Sequence, residues 1–172
     1  MAAVLIALHV ALNQFSFDLQ VIKITFASFP IIIAGLMFGP IFGLEVGLTG
    51  AFLGQMLEYG LGATTILWII PVGIRGLLVG LAAKKKNYKL NRSQLTLTIV
   101  ISSLIVTLLN TIVIYLDSRI NGYYSFAYVF GAVPLRILDD VILAVIYVVV
   151  IPEILKPLMS LYHYHNGNHH TG

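Results

Sequence analysis

Cysteine is absent from the sequence, so disulfides, thiolate metal sites and cysteine nucleophiles are all excluded. Charge is scarce as well. Only 10% of the 172 residues are Asp, Glu, Lys or Arg, where a soluble domain carries roughly 25%. Too few charges remain to clothe a water-facing surface. Three chemical signatures are also missing. No GxxxxGK[ST] run is present to cradle ATP phosphates, and neither HExxH nor GxSxG occurs. What the chain has instead is apolar mass: 59% hydrophobic residues and a mean hydropathy of +0.95. The solvent for most of this protein is lipid.

A spanning helix needs about 20 mainly apolar residues. Six candidate segments follow from that criterion, at 2–17, 25–38, 40–58, 66–83, 94–116 and 134–157. The predicted fold is therefore all-α, an integral membrane bundle of six transmembrane helices. It occupies residues 1–160 as one domain, followed by a flexible cytoplasmic His-rich tail at 161–172. The second segment is short and contains Pro30, which predicts a kink or a partial span. The first segment lacks the basic start of a signal peptide and reads as a membrane helix. The runs do not alternate polar and apolar residues, which excludes a membrane barrel.

Lys and Arg orient such a bundle. The loop KKKNYKLNR holds Lys84, Lys85, Lys86, Lys89 and Arg92, half of the ten basic residues. It is expected to be cytoplasmic, as are both termini. That clustering speaks for orientation and not for nucleic-acid binding. The opposite loops, 18–24, 59–65 and 117–133, carry only Lys23 and Arg119 and are rich in Tyr, Gly, Ser and Thr, as in NGYYSFAY. The tail HYHNGNHH is read as solvated, and no metal site is expected.

Small residues recur four apart. Ala3, Ala7 and Ala11 do so on the first segment, Gly35, Gly39, Gly43 and Gly47 across the second and third, and Gly76 and Gly80 on the fourth. Such stripes let helix backbones approach closely. Packing inside the bundle explains the glycines. The alanines lie on an otherwise plain aliphatic helix and suit a partner surface. Ionisable residues within membrane segments are costly and usually functional. Here they are Glu45, Arg75, Arg136, Asp139 and Asp140. Arg136 stands three and four residues before the aspartates, a spacing at which helical side chains can pair. Internal pairing of Arg75 with Glu45 or Asp139 is the structural alternative. Gln55, Trp68 and Asn110 complete the candidate site, which is placed toward the outer end between the fourth, fifth and sixth segments.

These residues also resemble a known family. The Ala3/Ala7/Ala11 pattern resembles the AxxxA signature of the substrate-binding S components of energy-coupling factor (ECF) vitamin transporters. FPIIIAGLMFGPIFGLEVGLTG resembles their second and third helices, particularly in the folate-type branch. IRGLLVGL, LLNT and PLRILDD resemble parts of helices four, five and six. The resemblance implies a high-affinity vitamin-binding subunit in a prokaryotic cell membrane. Its partners would be a transmembrane T component, docked on Ala3, Ala7 and Ala11, and two cytoplasmic ATPases, which hydrolyse the ATP. The chain itself would need no cofactor and would not be an enzyme. A folate-like ring is the leading substrate, with pyridoxine, hydroxymethylpyrimidine, pantothenate and cobalamin as others. Arg75, Arg136 and Lys23 could meet a carboxylate, Trp68 could stack on a ring, and Asn110 could add a hydrogen bond. The alternative is a self-contained secondary transporter or channel, which would show two similar halves with broken helices.

Overall fold

A computed structural model of the chain describes residues 1–15, 17–18 and 23–167, without side chains at 17–18, 23–24, 156 and 158–167. The described residues form seven helices and one minimal ribbon. Helix α1 is Ala2–Gln14. Strands β1 (Phe17–Asp18) and β2 (Lys23–Ile24) pair antiparallel. Helices α2 (Ser28–Phe38), α3 (Pro40–Tyr59), α4 (Thr65–Lys85) and α5 (Arg92–Ile120) follow. A five-residue α6 (Phe126–Phe130) precedes the long α7 (Val133–Gly167).

Three of these helices, Pro40–Tyr59, Thr65–Lys85 and Arg92–Ile120, are long and apolar enough to cross a membrane. Helices α1 and α2 are apolar but shorter. At 1.5 Å per residue the eleven residues of α2 reach about 16 Å, roughly half the hydrocarbon thickness. Pro30 lies in the first turn of α2, where its missing N–H leaves no bond unmade. The predicted kink is therefore replaced by a helix start. Gly39 joins α2 to α3 at φ +96° with the Tyr88 hydroxyl against it, a place where a side chain has neither the backbone conformation nor the room.

Several boundaries differ from the sequence expectation. Helix α5 begins two residues early because Asn91 and Gln94 form a capping box. Asn91 Oδ1 accepts from the Gln94 N–H at 2.8 Å, and Gln94 Oε1 accepts from the Asn91 N–H at 3.2 Å. It also runs on to Ile120, so residues 117–120 are helix and not loop. The last helix continues through Pro152 and Pro157 to Gly167. A proline removes one ladder bond, but an apolar helix packed on neighbours tolerates the loss. The tail expected at 161–172 overlaps this helix end, and residues 168–172 lie outside the described residues.

Glycine decides how α2, α3 and α4 meet. A Cβ on Gly76 would stand 2.1 Å from the Gly43 carbonyl oxygen, and one on Gly35 would stand 2.7 Å from that of Gly76. Gly47 lies against Gly73 in the same way. The glycine stripes are thus internal packing. Helices α5 and α7 close the bundle with larger side chains: Leu95 and Ile99 meet Leu143, Tyr147 and Ile151 around Ile32 and Val79. Val4, Ile41, Leu108, Ile112, Val145 and Val149 are exposed, as a lipid-facing surface requires.

Candidate functional site

Six helices line a polar cavity of about 220 Å³ in the bundle, α2 through Ser28 alone. Helix α1 contributes His9 and Asn13, and α3 contributes Gln55. Trp68 and Arg75 come from α4, Asn110 from α5, and Asp139 and Asp140 from α7. The glycines make room for this convergence. Gly50 and Gly54 on α3 face His9 and Asn13, so the polar side of α1 lies close to the α3 backbone. Among the residues of α1, only His9 is fully buried. Its Nδ1 stands 2.6 Å from the Ala27 carbonyl oxygen. A carbonyl only accepts, so Nδ1 carries the hydrogen, and Nε2 of the neutral ring is an acceptor.

Arg75 is buried and pairs with Asp140, Nη2 to Oδ1 at 3.8 Å. One residue earlier on α7, Asp139 Oδ1 is buried without a hydrogen-bond partner. Unpartnered buried oxygens are uncommon and costly. Among the described residues, no three His, Cys, Asp or Glu side chains are placed to hold a metal ion.

A second chamber of about 450 Å³ shares Gln55 and Trp68 with the first. Its walls are the α3–α4 turn (Gly60, Gly62, Thr64), the end of α5 (Asp117), and Tyr123 and Tyr128. Asp117 is buried and ringed by donors. Asn121 Nδ2 donates to Oδ1 at 3.0 Å and the Tyr123 hydroxyl donates to Oδ2, while Thr64 and Trp68 lie close enough to favour the charged carboxylate. Burial, then the bond to Asp117 and its charge, hold the Tyr123 phenol well above its ordinary range. The phenol therefore stays a donor. Trp68 and Gln55 thus line both chambers.

The structure brings together Gln55, Trp68, Arg75, Asn110 and Asp140 from the sequence-derived set. It leaves Arg136 outside. Instead of pairing with Asp139 or Asp140, Arg136 donates from Nη1 to the Val129 carbonyl at 3.3 Å. Helical spacing makes such a pair reachable, but the guanidinium turns to α6. Glu45 is exposed on α3 and is not the partner of Arg75. His9, Asn13, Asp117, Tyr123 and Tyr128 line the chambers without having been anticipated individually. The cavity also extends beyond the fourth to sixth segments, because α1 and α3 form one wall. Ala3, Ala7 and Ala11 are all exposed along one side of α1, away from the cavity.

The profile of one protein family, described as ECF transporter, substrate-specific component, matches residues 1–162. No curated protein matches the chain.

Proposed function

The chain belongs to the family of ECF transporter substrate-specific components, and from that premise we propose that it captures a ring-containing vitamin in the twin-chambered cavity. The observation that carries this reading is the junction of the chambers at Trp68 and Gln55. A flat ring can lie along the indole there while Asn110 and Gln55 supply hydrogen bonds. Taken together, the two volumes suit a small heterocycle with a substituent and fall within the usual range of about 300–1,000 Å³ for ligand sites. A corrinoid is too large for the inner chamber.

Six helices, α1 to α5 and α7, make up the membrane bundle in this reading, with α1 and α2 as its shorter members. The basic loop after α4 and both termini face the cytoplasm, so the chamber under the α3–α4 turn and Tyr123 opens outward. The exposed alanine side of α1 receives the T component, and that component carries the two ATPases. Arg75 is an internal ion-pair member here. It orients Asp140 and does not present a bare cation to a carboxylate, so a folate or pantothenate carboxylate has no evident seat. Uptake then depends on the partners, because the chain has no ATP-binding motif of its own.

Mass spectrometry of small molecules released from the purified protein tests the capture step. A ring-containing vitamin should be released from the wild type and be depleted in Trp68→Ala. Reconstitution tests the partner step. Uptake should need the T component and ATPases, whereas uptake by the chain alone in liposomes would identify a self-contained transporter.

A further inference from the structure

Among the described side chains, which do not include that of Lys23, the charges around the cavity do not balance. Three carboxylates border the two chambers, Asp117, Asp139 and Asp140, against one guanidinium, Arg75. They are not equivalent. Asp117 is satisfied by neutral donors from Asn121 and Tyr123. Asp140 has Arg75. Asp139 retains a buried oxygen with no hydrogen bond. The surroundings are rich in acceptors too, since His9 Nε2 is an acceptor once Nδ1 serves Ala27. Arg136 is turned away to Val129. Carboxylates in a low-dielectric interior need a cation or several donors to offset lost hydration.

We infer that the inner chamber takes a nitrogen heterocycle carrying a positive charge or a protonated amine, with that group set against Asp139. The inference rests on reading the cavity as the ligand site and specifies the ligand's charge. A carboxylate would meet two acidic side chains and find Arg75, the only cation among the chamber's described residues, already paired. A cationic ring would supply the missing partner for Asp139 and still lie along Trp68. A chamber of about 220 Å³ accepts one such ring, and any longer substituent extends past Trp68 into the outer chamber.

Three matched probes test this on the purified full chain by titration calorimetry. They are an N-methylpyridinium bearing a hydroxymethyl group, the neutral hydroxymethylpyridine, and the corresponding pyridine carboxylate. The cation should bind at least tenfold more tightly than the neutral probe, and the carboxylate most weakly. Losing a desolvated charge contact typically weakens binding about 30-fold or more, so Asp139→Asn should abolish the margin between cation and neutral ring. Trp68→Ala should weaken all three. If the carboxylate binds as tightly as the cation and still needs Trp68, the charge class is overturned and the site stands. If Asp139→Asn preserves the cation's margin, Asp139 is not its partner and the inference fails. If no probe binds in a Trp68-dependent way, the site reading falls and takes this inference with it.

Discussion

Two halves of the bundle are built on opposite principles. In α2, α3 and α4 the backbones themselves touch: Gly43 against Gly76, Gly35 against Gly76 and Gly80, Gly47 against Gly73. In α5 and α7 the contact is made by Leu, Ile and Tyr side chains. There the fit is looser, and an apolar cleft of about 270 Å³ runs between Val100, Leu104, Val141, Val145 and Val148. Lipid gives apolar side chains little reason to associate, so packing and polar contacts must hold membrane helices together. The glycine half maximises packing. The other half spends its polar groups around the cavity. Arg75 belongs to the first half, one residue before Gly76, and its partner Asp140 belongs to the second. The ion pair thus ties the rigid slab to the wall that closes the site.

The largest effect should come from filling the glycine contact. Gly76→Leu would push a side chain into the Gly43 backbone, which cannot move aside as a rotamer could. Overpacking commonly costs about 1–3 kcal/mol, and a backbone clash should exceed that. The variant should fail to give a monodisperse species in detergent, whereas Val145→Leu, facing the looser cleft, should purify normally.

Breaking the tie between the halves comes next. Arg75→Ala leaves Asp140 unpaired, and removal of one partner from a buried pair costs about 3–5 kcal/mol. Thermal unfolding in detergent should shift down sharply, and the joint change Arg75→Met with Asp140→Leu should recover much of the loss. Arg136→Ala should do far less. It removes one hydrogen bond to Val129, which is worth about 1 kcal/mol, and ligand affinity should stay within about threefold, below the 1.4 kcal/mol that marks a tenfold change. A large affinity loss would restore Arg136 to the site.

The smallest effect on the chain alone, with the largest on its assembly, is expected at Ala7. It is exposed on α1, and surface substitutions usually stay within about 0.5 kcal/mol. Ala7→Trp should melt and bind ligand like the wild type but fail to co-purify with the T component. Normal co-purification would leave the alanine side of α1 as ordinary lipid-facing surface.

The contrast also explains what was legible in the sequence. Apolar runs, Pro40 and the glycine spacing reveal the helices and the tight half, because both depend on local pattern. Clustering of Gln55, Trp68, Arg75, Asn110 and Asp140 was accessible from the rarity of polar groups in lipid. The pairing was not. Arg136 and Asp140 share a helix at reachable spacing, yet side-chain direction and the position of α4 give Asp140 to Arg75. Asp117 was hidden because the apolar run fades before it, although helix α5 continues to the Asn121 cap. His9 looks like a stray polar residue on α1 until Gly50, distant in sequence, is packed against it.

Trp68 offers the most direct test, since it is the only tryptophan in the chain. Its emission reports the junction of the two chambers and nothing else. The small molecule released from the purified protein should be titrated back while emission and equilibrium dialysis are followed together. The account predicts that Trp68 emission changes in proportion to the dialysed occupancy and saturates at one ligand per chain. Saturable binding by dialysis with unchanged Trp68 emission would place the ligand elsewhere and contradict the assignment of the cavity.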